Sequence, residues 1–117
     1  MSKIANAFKD GKAFIAFLTG GDPAPEKTVE YILTMEKAGA DLIEIGIPFS
    51  DPTAEGVVIQ DANIRALKAG TTTDKIFEIV KEVRKTSQIP LVFLTYLNPV
   101  FHYGYEAFFK KCKEYQV

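Results

Sequence analysis

The chain has 117 residues, a length that fits one ordinary domain. Fourteen Lys and Arg residues against fifteen Asp and Glu give a formal net charge of −1, which excludes the strongly basic surface of a typical nucleic-acid-binding protein. A hydrophobic fraction of 47% excludes extended disorder, and no apolar run approaches the ~20 residues that a membrane helix needs. The single Cys excludes an internal disulfide framework and a Cys-based zinc cluster, and it favours the reducing cytoplasm.

The first part of the chain alternates helical segments with apolar runs. We expect an amphipathic turn or two over residues 2–9, followed by an apolar run over 13–18 that is typical of a strand covered on both faces. A helix is predicted over about 25–38, and Gly39 is placed to end it. The next apolar run, residues 42–47, predicts a second strand.

The second part of the chain continues the same alternation. A short helix is expected over about 59–69, and Thr73 is expected to cap a further helix. The run 91–96 predicts a third strand, and a last helix is predicted over about 105–115. Apolar strands that alternate with helices predict a parallel sheet with right-handed crossovers.

Two architectures begin in this way, a doubly wound open sheet and a (β/α)8 barrel. A barrel takes about 250 residues, so 117 residues would supply fewer than half of its strands. The sequence stops where a fourth strand should begin, and we therefore expect it to be part of a longer chain.

Glu44 is the most informative residue, because it lies inside an apolar strand. Period-two alternation places Glu44 on the same face as Leu42 and Gly46, with three isoleucines (43, 45 and 47) on the opposite face. Removal of a carboxyl from water favours its neutral form, which suits general acid–base catalysis near neutral pH. The alternatives are a Glu on an exposed strand edge or one that is paired with a Lys.

The segment 48–56 carries two more carboxylates on a loop bounded by prolines. Asp51 or Glu55 could oppose Glu44 across a substrate. The structural alternatives are that Asp51, which precedes a proline, only forms a turn and that Glu55 is only solvated.

Several segments closely resemble the tryptophan synthase alpha subunit family. They are LIEIGIPFSDPTAEG (42–56), VIQDANIRAL (58–67), AFLTGGDP (16–23) and LTYLNPVF (94–101). The resemblance implies a (β/α)8 TIM barrel, of which the chain covers about the first three βα units, so that residues 1–117 form the N-terminal portion of one barrel domain that ends before strand four. It also implies a lyase of tryptophan biosynthesis, which splits indole-3-glycerol phosphate into indole and glyceraldehyde 3-phosphate by a retro-aldol reaction.

The resemblance assigns roles to individual residues. It implies that Glu44 is the general acid–base and that Glu55, at the position of a family Asp, polarises the indole N–H. It also implies that Phe17, Leu94 and Tyr96 contact the substrate, although an ordinary barrel core explains these three side chains as well. Glu55 departs from the family by one methylene, and a displacement of about 1 Å in a catalytic group can cost ~10²-fold in rate.

The family works as an α2β2 complex with a beta subunit. The resemblance implies that Pro48, Asp51, Asn98 and Pro99 lie at the partner interface. It implies no cofactor or metal in this chain, because the pyridoxal phosphate belongs to the beta subunit, and it gives no role to nucleic acid or to a membrane.

Two alternatives remain open at this stage. The chain could be a catalytically inactive barrel fragment, or it could belong to another barrel enzyme with a phosphate substrate. We expect the 117 residues alone to be inactive, because barrels of this type hold the substrate phosphate with loops after strands seven and eight.

Overall fold

The computed structural model describes residues 2–117. No helix in this range is both long enough and apolar enough to cross a membrane. The elements follow one another as α1 (Lys3–Ala7), β1 (Ile15–Thr19), α2 (Pro25–Lys37), β2 (Leu42–Gly46), α3 (Val57–Lys68), α4 (Thr73–Arg84), β3 (Leu91–Leu94), α5 (Leu97–Tyr103) and α6 (Tyr105–Tyr115).

The three strands form one parallel sheet in the order β1–β2–β3. The chain crosses from β1 to β2 through α2, and from β2 to β3 through α3 and α4. Phe17, Glu44 and Val92 lie level with one another across the sheet. The parallel sheet that the sequence predicted is therefore confirmed.

The two faces of the sheet differ in what covers them. Ile43, Ile45 and Ile47 are 0%, 0% and 4% exposed and belong to the hydrophobic core that the helices build on one face. Because side chains alternate along a strand, Glu44 lies on the other face, where Phe17 and Leu94 are 38% and 43% exposed. The predicted division between isoleucines and glutamate is thus observed.

Phe77 on α4 joins the sheet to the last two helices. Its ring lies edge-on to Phe93 of β3 at 5.5 Å and edge-on to Phe108 of α6 at 5.4 Å, and it contacts Tyr103 of α5 at 5.7 Å. Edge-to-face pairs at such distances add specific attraction to the burial of apolar area. This cluster fixes the segment after β3 relative to the sheet.

The observed helix ends agree with the predictions from the sequence at two positions and differ from them at one. Pro25 opens α2, and Gly39 follows the helix with φ +112°, as expected of a terminator. The cap of α4 is Thr72 rather than the predicted Thr73, since the Thr72 hydroxyl accepts a hydrogen bond from the Lys75 N–H at 3.2 Å. Thr73 is the first residue of the helix itself.

Helix α5 was not predicted, and the third strand is shorter than expected. The strand ends at Leu94, and Tyr96 is the N-cap of α5 rather than a strand residue. Pro99 is tolerated in this helix because it occupies the third position, where the backbone N–H has no partner within the helix. Helix α5 thus begins three residues after the end of β3.

Candidate functional site

A cleft of about 190 Å³ opens at the C-terminal ends of the three strands. This is the end at which barrel enzymes place their active sites. Four residues that the sequence singled out line the cleft, namely Phe17, Glu55, Leu94 and Tyr96. The other lining residues come from strand ends, from the segment after β2 and from α3: Thr19, Gly46, Ile47, Ala54, Ile59, Asn63 and Thr95.

Glu44 lies next to this cleft rather than in its wall. It is half-buried, level with Phe17 on the neighbouring strand and one alternation before Gly46, and both neighbours line the cleft. Within residues 2–117, the Glu44 carboxylate makes no hydrogen bond or ion pair with another side chain. The carboxylate is therefore on the cleft face of the sheet and uncommitted, and the alternative of a structural pair with a lysine is not observed.

The floor of the cleft depends on a glycine in β2. A Cβ atom at Gly46 would lie 3.0 Å from Cζ and 3.2 Å from Cε2 of the Phe17 ring. These separations are tighter than ordinary van der Waals contact. Gly46 thus allows the Phe17 ring to lie across the neighbouring strand, beside Glu44.

The loop after β2 is attached to α3 and to Tyr96. The Phe49 N–H donates to Asn63 Oδ1 at 2.8 Å, and Asn63 Nδ2 donates to the Ile59 carbonyl at 2.8 Å. The Phe49 ring packs against the Tyr96 ring with centroids 5.3 Å apart. Asn63 is 6% exposed, so its amide is a buried group whose oxygen is satisfied by this loop and whose nitrogen is satisfied by α3.

Glu55 lines the cleft from a segment whose main chain is well anchored. The Ala54 N–H donates to the Tyr96 hydroxyl at 2.9 Å, and Gln60 Nε2 donates to the Glu55 carbonyl at 2.7 Å. The Glu55 N–H donates to the Pro52 carbonyl at 3.1 Å. The structure therefore brings Glu55 and Tyr96 to one cleft and connects them through Ala54.

Three of the four residues predicted at a partner interface line a second cleft. Pro48, Asn98 and Pro99 contribute to a cavity of about 450 Å³ between the loop after β2 and the first turn of α5. Asp51 is exposed beside it, and its Oδ2 accepts a hydrogen bond from the Ser50 hydroxyl at 2.9 Å. The predicted interface residues thus lie on one side of the molecule.

A hydrogen bond between Asp74 and Tyr103 closes one side of this second cleft. The Tyr103 hydroxyl donates to Asp74 Oδ1 at 2.6 Å, and Lys111 Nζ lies 3.5 Å from the same oxygen. The hydrogen bond from Tyr103, with help from the charge of Lys111, lowers the pKa of the Asp74 carboxyl below its ordinary value. The pair ties α4 to α5 beside the predicted interface residues.

Sequence reasoning missed the contribution of α3 to the first cleft. Ile59 and Asn63 are four residues apart, so both lie on one face of the helix, and both line the cleft. A signal was present, because Asn63 directly follows Ala62 on the buried side of an otherwise apolar stripe. A buried asparagine requires polar partners, and here these are backbone groups of the loop and of the helix itself.

Comparison with known sequences identifies the relatives of this chain. The family described as tryptophan synthase alpha chain matches residues 4–117. The tryptophan synthase alpha chain of Lacticaseibacillus casei is 51% identical over 117 residues, which are 100% of this chain and 44% of that protein. The alpha chain of Alkaliphilus metalliredigens is 52% identical over 119 residues, which cover 97% of this chain and 45% of the relative.

Comparison with solved structures agrees with the sequences. The alpha subunit of Legionella pneumophila superposes with a TM-score of 0.95 at 38% identity, covering 100% of this chain and 47% of that one. The tryptophan synthase complex of Pyrococcus furiosus gives a TM-score of 0.84 at 42% identity, covering 90% and 43%. These neighbours are TIM barrels, so the expected (β/α)8 class is confirmed.

The chain spans about half the length of the curated relatives that it matches. Within that span the match to the family extends from Ile4 to the last residue, Val117. By sequence and by fold, this chain belongs to the tryptophan synthase alpha chain family.

Proposed function

We propose that this chain supplies the N-terminal part of a lyase that cleaves indole-3-glycerol phosphate into indole and glyceraldehyde 3-phosphate in tryptophan biosynthesis. The observation that carries the proposal is the uncommitted carboxylate of Glu44, on the cleft face of the sheet beside an apolar cleft at the strand ends. Membership of the family supports this reaction over that of another phosphate-substrate barrel.

Glu44 would act as the general acid–base. As an acid it gives a proton to C3 of the indole ring, which becomes an indolenine. As a base it takes the proton of the glycerol hydroxyl, the bond between C3 and the side chain breaks, and the bonding electrons return to the ring. The hydroxyl carbon becomes the aldehyde of glyceraldehyde 3-phosphate, and the carboxyl returns to its starting state.

Glu55 would polarise the indole N–H while the indolenine forms. Glu55 is half-buried and lines the cleft, where positive charge on the ring nitrogen is stabilised most by a nearby anion. Phe17, Leu94 and Tyr96 would form the apolar walls that hold the ring. Their shared position in one cleft supports the three substrate contacts expected from the sequence.

We propose a tryptophan synthase beta subunit as the partner, in an α2β2 complex. Pro48, Asp51, Asn98 and Pro99 would lie at the interface, and the clustering of three of them in the second cleft supports this placement. A similar chain from Pyrococcus furiosus has been solved as part of a tryptophan synthase complex. Pyridoxal phosphate would belong to the partner, and this chain would hold no cofactor. The single cysteine supports a cytoplasmic location.

The test uses a full-length protein, since the relatives are about twice as long as this chain. We define the completed chain as residues 1–117 joined to the remaining segment of the Lacticaseibacillus casei relative. With indole-3-glycerol phosphate, it should release indole and glyceraldehyde 3-phosphate in equal amounts, and the 117-residue chain alone should release neither. A folded completed chain that consumes the substrate without forming indole, or does not consume it, contradicts the proposal.

A stability prediction concerns Val57, at the start of α3. Val57 is 71% exposed and is the first residue of α3, a position at which the N–H needs no helical partner. The preceding Gly56 has extended φ and ψ of −81° and 176°, as a proline requires of its predecessor. Val57→Pro should therefore raise the free energy of unfolding of the completed chain by about 0.4–1 kcal/mol.

Thermal unfolding of the completed chain measures this effect. Val58→Pro is the matched control, because it places the same ring one residue further into the same exposed turn, at a site that is 77% exposed. The gain should be larger at position 57 than at position 58. An unfolding midpoint that falls for Val57→Pro would show that the turn does not have the compatible geometry described above.

A further inference from the structure

The main chain around Glu55 is held firmly, whereas its carboxylate is free. Within residues 2–117 the carboxylate makes no hydrogen bond or ion pair. The flanking peptide groups, by contrast, bond to Tyr96, to Gln60 and to Pro52. If the Glu55 carboxylate were only solvated, its loop would not need main-chain hydrogen bonds to two side chains from separate elements.

Tyr96 provides the first anchor from the N-cap of α5. Its hydroxyl accepts the Ala54 N–H at 2.9 Å, over a separation of 42 residues in sequence. The ring is itself packed against Phe49, with centroids 5.3 Å apart, and it forms part of the cleft wall. Because the Phe49 ring packs against it, the Tyr96 ring has restricted movement, and its hydroxyl offers a fixed point to the loop.

Gln60 provides the second anchor from the first turns of α3. Its side-chain amide reaches back over five residues to the Glu55 carbonyl at 2.7 Å. Gln60 is half-buried, so this bond is shielded from competing water better than an exposed one. The Gln60 N–H meanwhile donates to the carbonyl of Gly56, the N-cap residue, and this bond closes the first turn of α3.

These two contacts compensate for a flexible backbone. Gly56 has the widest conformational freedom of any residue, and Val57 does not fix φ as a proline would. Without the anchors, the main chain at Glu55 could move by the ~1 Å that is sufficient to lower the rate of a positioned catalytic group about 10²-fold.

We propose that Tyr96 and Gln60 are positioning residues that hold the main chain of Glu55 and thereby aim its carboxylate into the cleft. This gives Tyr96 a second role, through its hydroxyl, beside the ring contact with substrate. The inference rests on the proposed function for its catalytic consequence, whereas the anchoring itself can be measured without turnover.

The kinetic test is a double-mutant cycle in the completed chain, with indole release as the assay. Tyr96→Phe removes only the hydroxyl, and Gln60→Met removes only the amide at similar length. Each change should lower kcat/KM about 10- to 100-fold with Glu55 present. In the Glu55→Gln background each change should lower kcat/KM by less than a further factor of about two, because the carboxylate that they position has already been removed.

A second measurement does not depend on activity. Hydrogen exchange at the Ala54 amide should accelerate about fivefold or more in Tyr96→Phe, since its hydrogen-bond acceptor is lost. Tyr105→Phe is the matched control, because Tyr105 is 45% exposed and lies outside both clefts. It should change neither the exchange at Ala54 nor kcat/KM.

The outcomes separate the inference from the proposed function. Unchanged exchange at Ala54, or rate losses that multiply fully with that of Glu55→Gln, would overturn the positioning role. Absence of indole release from the unsubstituted completed chain, with Ala54 exchange still accelerated by Tyr96→Phe, would instead overturn the proposed function and leave the anchoring intact. If the Tyr96→Phe protein does not fold, the double-mutant cycle of Gln60→Met with Glu55→Gln tests the same inference.

Discussion

Glu44→Gln should lower kcat for indole release by the completed chain about 10²–10⁴-fold, the contribution expected of a general acid–base. Gln keeps the size and the hydrogen-bonding atoms of the side chain but cannot give or take a proton at neutral pH. The side chain is half-buried beside Phe17 and makes no bond to another side chain in residues 2–117, so the substitution removes no hydrogen bond or ion pair between side chains. KM and the thermal unfolding midpoint should therefore stay close to those of the unsubstituted protein.

Glu114→Gln is the control for this prediction, because Glu114 is an exposed glutamate on α6, away from both clefts. It should leave kcat unchanged. Glu44→Asp provides a second comparison, since it keeps the carboxyl but withdraws it by about one methylene, and its activity should lie between the two. A Glu44→Gln protein that keeps more than a tenth of the original kcat would remove Glu44 from the mechanism.

The sheet could be predicted because its pattern is local. Three isoleucines that alternate with Leu42, Glu44 and Gly46 can be buried only if the strand places one set against the helices. The same alternation places Glu44 on the opposite face. The parallel order followed from the helices between the strands, which leave a right-handed crossover as the usual connection.

The segment after β3 could not be predicted in the same way. Residues 91–96 are apolar except for Thr95, and nothing in their periodicity shows that the strand ends at Leu94. Helix α5 is only seven residues long and contains a proline, two features that argue against a helix in a sequence. Its position depends on the distant aromatic cluster around Phe77, which local patterns do not encode.

In the candidate site, too, the features that depend on local sequence were predictable and those that depend on tertiary packing were not. Residue types and strand ends predicted the carboxylates and the apolar wall. The bonds that organise them join residues far apart, such as Tyr96 with Ala54 and Asn63 with Phe49, and these depend on tertiary packing. Asn63 and Gln60 were therefore missed, although both lie on a helix whose existence was predicted.

Gly21→Ala should lower the free energy of unfolding of the completed chain by about 2–4 kcal/mol, for two separate reasons. Gly21 follows β1 with φ +85°, a conformation that L side chains rarely adopt. A Cβ atom there would also collide with Thr71, at 2.6 Å from its Cγ2 and 2.7 Å from its Cβ, and would overlap its Oγ1. Thr71 is 4% exposed, and Gly21 is tied to Thr28 Oγ1 at 2.8 Å, so neither side can easily move away.

Two variants separate these causes. Gly39→Ala places an alanine at a similarly positive φ of +112° with no atom within 4 Å of the new Cβ. It should therefore lower the free energy of unfolding only by the backbone strain of about 1 kcal/mol. Adding Thr71→Ala to Gly21→Ala removes the Oγ1 and Cγ2 contacts, and it should recover part of the loss, since Thr71 Oγ1 has no hydrogen-bond partner among residues 2–117. Thermal midpoints should fall by about 5–15 °C for Gly21→Ala and by about 2–4 °C for Gly39→Ala. Equal losses in the two single variants would show that Thr71 does not press against Gly21, and that the turn after β1 is less tightly packed against the segment between α3 and α4 than the structure places it.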